Sequence, residues 1–190
     1  EEELEKRQDE TSSSSATGII MDPETGEILA MATTPGFNNN HFRSTRPEFH
    51  RIKSITDQFE PGSTFKVVST VSALYDGLIS LNDEFNCENG SFEYHTKKIT
   101  DHESYSMLTA SQIIHHSSNI GIIKIMDQVG PKRLFSMSRD FGFGSRTGIN
   151  LNGEVSGKLN HFNDWSAVSL GMIAMGHEVG VTAIQLASAY

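Results

Sequence analysis

The sequence predicts an α+β fold, a layered sheet with a helical lobe. Two features carry that prediction. Apolar runs separated by strong turn signals open the chain, and apolar runs at helical spacing cluster after residue 63. The stretch between them, residues 34–60, shows neither period.

Each element has its own signal. Residues 1–10, EEELEKRQDE, are charged and helix-favouring, with Leu4 as their apolar anchor, and TSSSSATG is a polar linker. Gly18 to Met21 and Ile28 to Met31 flank the turn Asp22-Pro23-Glu24-Thr25-Gly26, which predicts a β-hairpin. Residues 34–60 mix Pro, Gly, Asn and charge and are expected to form a long surface loop, a kind of segment that usually carries function. From Ser63 to Tyr75 the residues Phe65, Val68, Val71, Ser72 and Tyr75 fall near one helical face. Residues 85–100 predict a short hairpin turning at Glu88-Asn89-Gly90. LTASQIIHHSSNIGIIKIMDQVG reads as two helices meeting near Ser117, the first opened by a Thr109/Gln112 capping box. Pro131 opens a further helix that ends near Gly142. Residues 142–160 form a connector rich in Gly and Asn, and Thr182 with Gln185 caps a last helix.

Bulk properties narrow the function class. A chain of 190 residues with 36% hydrophobic and 21% charged residues can bury a core and is not a disordered tail. Its net charge of -9, with no cluster of Lys and Arg, argues against nucleic acid or an anionic membrane face as partner. The single cysteine, Cys87, has no internal disulfide partner, and no Cys/His spacing suggests a metal site. No run of about 18 apolar residues and no signal peptide is visible. The chain starts without Met in a helical pattern and stops in VTAIQLASAY, a helix barely begun, so it is expected to be a piece of a longer protein. Residues 1–15 are expected to end a preceding helix and linker, and residues 16–190 to begin the main domain.

Chemistry concentrates in FEPGSTFK. A serine hydroxyl attacks well only if a base takes its proton. Residues i and i+3 share a helix face, so Ser63-x-x-Lys66 puts an amine within reach of Ser63. Burial of Lys66 would favour the neutral amine that a base requires. A helix N-terminus at Ser63 would favour an oxyanion there. Alone the pattern is weak, since on the order of one Ser-x-x-Lys arises by chance in such a chain and Ser63 can be a plain N-cap. A second piece is HHSSNIG, where Ser117 is placed to relay a proton and Asn119 to hold a substrate amide, while Ser118 can cap the next helix. Ser80-Leu81-Asn82 matches the same Ser-x-Asn pattern but follows Gly77 in an expected turn.

FEPGSTFK and SSN, in this order and 54 residues apart from Ser63 to Ser117, resemble the first two active-site motifs of penicillin-binding protein transpeptidases. GIIMDPETGEILAMATTPGFNNN is similar to the entry hairpin of that domain, and MGHEVGVTAIQLASAY to a later segment of it. The resemblance runs from about residue 16 to 190, and the glutamate-rich start is similar to the monofunctional class B branch. It implies the layered sheet and helical lobe of the serine β-lactamase and penicillin-binding-protein fold, here incomplete. The Lys-Thr-Gly strand, which in the family binds the substrate carboxylate and supplies an oxyanion-hole N–H, does not occur in these residues.

The resemblance implies a D,D-transpeptidase. Ser63 would attack the penultimate D-Ala of a peptidoglycan stem peptide, with Lys66 accepting its proton, Ser117 protonating the departing D-Ala and Asn119 orienting the acyl chain. It also implies acylation by β-lactams, no metal or organic cofactor, elongation or division proteins as partners, and a location on the outer face of the bacterial cytoplasmic membrane. The membrane anchor would be an N-terminal segment outside these residues. The rival readings are a serine β-lactamase and a β-lactam sensor or non-catalytic wall-assembly protein. No Glu-x-x-x-Asn is found, which weighs against a class A β-lactamase. His115 and His116 beside Ser117 suggest a Ser-His pair less well than a helix-end role. Asp101, His102 and Glu103 in TDHESYS read as a solvated loop bordering the cleft, and Trp165 as core or cleft wall, with Asp164 a cap for the helix there. Cys87 reads as a structural thiol.

Overall fold

The computed structural model describes residues 1–190. Along the chain lie α1 (Glu2–Thr11), β1 (Ala16–Met21), β2 (Ile28–Thr34), α2 (Lys53–Thr56), α3 (Lys66–Leu74) and β3 (Glu84–Asn86). Then follow β4 (Ser91–Tyr94), β5 (Lys97–Thr100), β6 (Met107–Thr109), α4 (Ala110–His115), α5 (Asn119–Val129), α6 (Pro131–Asp140), α7 (Ser169–Ala174) and α8 (Ala183–Ala189). The strands form three antiparallel pairs, β1 with β2, β3 with β6 and β4 with β5. The chain divides into two compact units.

The first unit joins Glu1–Phe59, Ser145–Gly157 and Val181–Tyr190. Its frame is the predicted hairpin, with Ile19 opposite Met31 and a bulge between Ile20 and Met21. Asp22 Oδ1 accepts from the amides of Glu24 (2.8 Å) and Thr25 (3.1 Å), which closes the turn. Leu4 of α1 rests on Gly18 of β1, where a Cβ would sit 3.4 Å from its methyl carbons. Ile55, Val181 and Ile184 are buried. The Thr182/Gln185 capping box forms as expected, and Gln185 Nε2 donates to the carbonyls of Ser145 (2.6 Å) and Ser156 (2.9 Å). The expected long loop is not structureless: Asn39–Ser44 and Pro47–His50 are 3-10 turns, followed by α2. Their spans of six, four and four residues are too short to leave a helical period in the sequence.

The second unit, Glu60–Gly144 with Lys158–Gly180, is built around α5. Ile120, Ile122, Ile123, Ile125 and Met126 are all fully buried there. A helix apolar on nearly every side must be a core helix, and each such side chain contributes about 1.5–3 kcal/mol by burial. Gly121 lets α4 approach closely, because a Cβ there would overlap the Ile113 side chain. Capping explains both helix starts: Thr109 and Gln112 form the predicted box on α4, and Ser118 Oγ accepts from the Gly121 amide at 2.9 Å to cap α5.

Two expectations change. The turn at Glu88–Gly90 is real but joins strands of different pairs, since β3 pairs with β6 and the hairpin is β4 with β5, turning at His95 and Thr96. Local turn chemistry marks a reversal without naming the partner strand. The helix after Ser63 begins as a 3-10 turn, Gly62–Phe65, and becomes α-helical only at Lys66. Tyr75 is exposed, with the Arg133 guanidinium carbon 5.2 Å from its ring centre.

Candidate active site

Ser63 lies on a turn held from two sides. Gly62 has φ of 58°, a left-handed conformation that suits glycine, and Thr64 Oγ1 donates to the Pro61 carbonyl at 2.8 Å. Gly176 presses on the same turn. The Gly62 amide donates to its carbonyl at 3.1 Å, and a Cβ at Gly176 would collide with the Gly62 backbone. Glu60 ties this second strap down: it accepts from the Glu178 amide at 2.9 Å and lies 2.9 Å from His177 Nδ1. The His177 hydrogen bond, then that amide, hold the Glu60 carboxyl below its ordinary pKa. Phe65, two residues on, is fully buried with its ring 5.2 Å from that of Phe143. The turn is thus anchored at its base while Ser63 itself is exposed.

Lys66, by contrast, is buried, at 3% exposure. Its Nζ donates to the Ser117 carbonyl (2.6 Å), Asn119 Oδ1 (2.7 Å) and Ser117 Oγ (3.1 Å). These three acceptors match the three protons of an ammonium. A neutral amine fits as well: two N–H groups serve the carbonyl and amide oxygens, and the lone pair takes the Ser117 hydroxyl proton. Burial lowers the Lys66 pKa to about 8, against the opposing pull of the Asp101 carboxylate. Both protonation states are therefore accessible near neutral pH.

Ser117 occupies the joint between α4 and α5 with φ of 54°. A left-handed conformation costs a non-glycine residue about 1–2 kcal/mol. Here it closes the end of α4, with the Ser117 and Ser118 amides donating to the carbonyls of Ile114 (3.1 Å) and Ile113 (2.9 Å). The same kink turns Ser117 Oγ and its carbonyl toward Lys66. Asn119 opens α5, and its Nδ2 donates to the Thr100 carbonyl at 2.9 Å, leaving Oδ1 for Lys66.

Of the four residues singled out in the sequence, Lys66, Ser117 and Asn119 meet in one hydrogen-bonded cluster. Ser63 stands three residues before Lys66, but no hydrogen bond joins its hydroxyl to the amine. The physical reason is competition: Ser117 and Asn119 offer the buried amine three acceptors, and the exposed hydroxyl offers it no burial. Asp101, read as part of a solvated loop, instead bonds the start of α5. Only its acidic character was visible beforehand. His115 and His116 are both exposed, and His116 stacks 4.9 Å from the Tyr105 ring, so no Ser-His pair forms. Trp165 lines a separate hollow of about 290 Å3 with Tyr94 and Phe162. Asp164 ends a 3-10 turn rather than capping a helix. Ser80 bonds Asp83 in a turn. Cys87 is buried, and burial raises its thiol pKa above the ordinary value.

A turn-borne serine is followed by a buried lysine whose amine binds a Ser-x-Asn joint. A family model for the penicillin binding protein transpeptidase domain matches residues 16–190, and the chain belongs to that family. It is 35% identical over 176 residues to the peptidoglycan D,D-transpeptidase FtsI of Escherichia coli K12, covering 93% of this chain and 30% of the relative. It is 33% identical over 176 residues to the probable peptidoglycan D,D-transpeptidase PbpC of Pseudomonas aeruginosa, covering 93% of this chain and 31% of the relative. The chain thus spans about a third of the length of these curated relatives. The apo structure of the TP domain from Burkholderia pseudomallei penicillin-binding protein 3 superposes with a TM-score of 0.87 at 27% identity, covering 98% of this chain and 52% of that one.

Proposed function

We propose that the protein to which these residues belong is a peptidoglycan D,D-transpeptidase that works through an acyl-enzyme on Ser63. The observation that supports this most is the buried Lys66 amine, with its pKa of about 8, held by Ser117 and Asn119 one turn behind an exposed serine. In the reading, Ser63 Oγ attacks the carbonyl of the penultimate D-Ala of a stem peptide as its proton passes to neutral Lys66. The tetrahedral intermediate collapses, the C–N bond breaks, and Lys66 returns the proton through Ser117 Oγ to the departing D-Ala amine. An amine from a neighbouring stem then attacks the acyl-enzyme, its proton leaves by the same route reversed, and Ser63 is released with a new amide bond formed. Asn119 hydrogen-bonds the acyl chain. A β-lactam presents a strained amide to the same serine and remains attached. In this reading the Ser63 hydroxyl replaces one of the amine's present partners when substrate enters.

The finer assignments belong to the same proposal: class B architecture, division or elongation proteins as partners, and action at the outer face of the bacterial cytoplasmic membrane. No helix here is long and apolar enough to cross a membrane. Cross-linking of a stem-peptide donor to an acceptor amine by the full-length protein tests the reading. Product formation that disappears in Ser63→Ala is expected. A protein that is acylated by penicillin yet forms no cross-link under conditions where a known transpeptidase does would instead be a sensor of the same fold.

A further inference from the structure

We infer that Asp101 is a positioning residue that fixes the Lys66–Ser117–Asn119 cluster from the strand side, an assignment that rests on the acyl-transfer reading of that site. Asp101 touches no reacting atom. It follows the last residue of β5, and its own amide donates to the Gly90 carbonyl at 3.1 Å. Ser104 Oγ donates to the Asn89 carbonyl at 2.7 Å, so the segment after β5 is clamped at two points on the 88–90 turn.

From that base the carboxylate grips the start of α5. Oδ1 accepts from the amides of Asn119 (2.6 Å) and Ile120 (3.1 Å), and Oδ2 accepts from Ser118 Oγ (2.6 Å). The first amides of a helix lack intrahelical partners and carry partial positive charge, so a carboxylate is well matched there. The preceding residue completes the grip, because the Thr100 carbonyl takes the Asn119 Nδ2 proton. Asn119 is therefore held at its main chain and through one of its two amide N–H groups, with Oδ1 on Lys66 and the second N–H left for substrate. Ser118 spends its hydroxyl proton on Asp101 and its lone pair on the Gly121 amide. Three successive residues of the joint thus have fixed roles: Ser117 on Lys66, Ser118 on Asp101, and Asn119 on both.

Asp101 also acts by its charge. Its carboxylate favours the Lys66 ammonium and so opposes burial in setting the amine's proton affinity. The Cys87 thiol and the Tyr105 phenol are raised first by burial, and the Asp101 carboxylate adds to both in the same direction. His102 and Glu103, its neighbours in sequence, are exposed. Lys124 and Glu88 bond each other at 3.1 Å.

The test is the second-order rate of β-lactam acylation of the full-length protein, measured per folded molecule over a pH range that brackets the Lys66 value of about 8. Asp101→Asn keeps an acceptor for the helix amides but loses the charge, so the midpoint of the rising limb moves to lower pH. Asp101→Glu keeps the charge on a longer arm, so the midpoint stays and the plateau falls. Asp101→Ala leaves the Asn119 and Ile120 amides without their acceptor and lowers the plateau on the order of tenfold to hundredfold. Wild-type midpoint in the Asn variant together with wild-type plateau in the Ala or Glu variant overturns the assignment. A purely structural role would lower the folded fraction without moving the midpoint, and that result overturns it too. A wild-type protein that no β-lactam acylates removes the underlying acyl-transfer reading as well, an outcome distinct from the others.

Discussion

Lys66 is where sequence, burial and chemistry meet. A lysine at 3% exposure would normally be destabilising, and its amine is tolerated because three oxygens surround it. Burial depresses its pKa to about 8, so the neutral fraction grows as pH rises toward and through that value. If neutral Lys66 is the base, acylation by a β-lactam should rise with pH and level off above about 8, a profile measurable with a chromogenic β-lactam. Lys66→Arg should abolish the rising limb, because a guanidinium stays charged throughout that range. The same shift has a stability consequence. Between about 8 and the ordinary lysine value, the unfolded chain binds a proton that the folded one does not, so the penalty of burying Lys66 fades as pH rises through that window. The meeting of Lys66, Ser117 and Asn119 was legible because two short motifs, each weak alone, occur in the order and at the separation of a known family. Asp101 was not, because its partners at 118–120 lie 17 to 19 residues away and nothing in TDHESYS marks a carboxylate that faces a helix start.

At the scale of elements, the cluster depends on how closely α4 approaches α5. Gly121 permits that approach, and Gly121→Ala should force Ile113 aside. A loss of about 1–3 kcal/mol is expected in denaturant unfolding, with acylation slowed beyond the loss of folded protein because Ser117 rides on the displaced joint. Thr109→Ala offers the contrast. It removes a cap at the far end of α4 and should cost about 1 kcal/mol while leaving the acylation rate per folded molecule unchanged. Gly176 sits at φ of 83° with its α-carbon against the Gly62 backbone. Gly176→Ala should therefore lower both stability and acylation, the second because the Ser63 turn loses its strap. Capping boxes at Thr109 and Thr182 were readable since each is a four-residue pattern with its own hydrogen bonds. The pairing of β3 with β6 was not, since β6 follows β3 only after the whole β4–β5 hairpin and three-residue strands carry little alternation.

At the scale of the molecule, the chain assembles its first unit from three separate segments and its second from two. The α+β class was legible from the order of hairpin and helix signals, whereas the interruption of both units was not, because it depends on contacts far apart in sequence. Both motif clusters nevertheless fall in one unit: Ser63, Lys66, Ser117, Asn119 and Asp101 all belong to Glu60–Gly144. That unit's core, built on α5, holds the amine and its acceptors in register without help from residue types that are rare or reactive elsewhere. The exposed serine is the one member left without a bond to the cluster, so its role is the point to test. Peptide mapping by mass spectrometry of the full-length protein after brief exposure to penicillin does so. The prediction is a single penicilloyl adduct on the peptide containing Ser63, absent from Ser63→Ala. An adduct on any other residue of the wild-type protein, or label retained by the Ala variant, would contradict it.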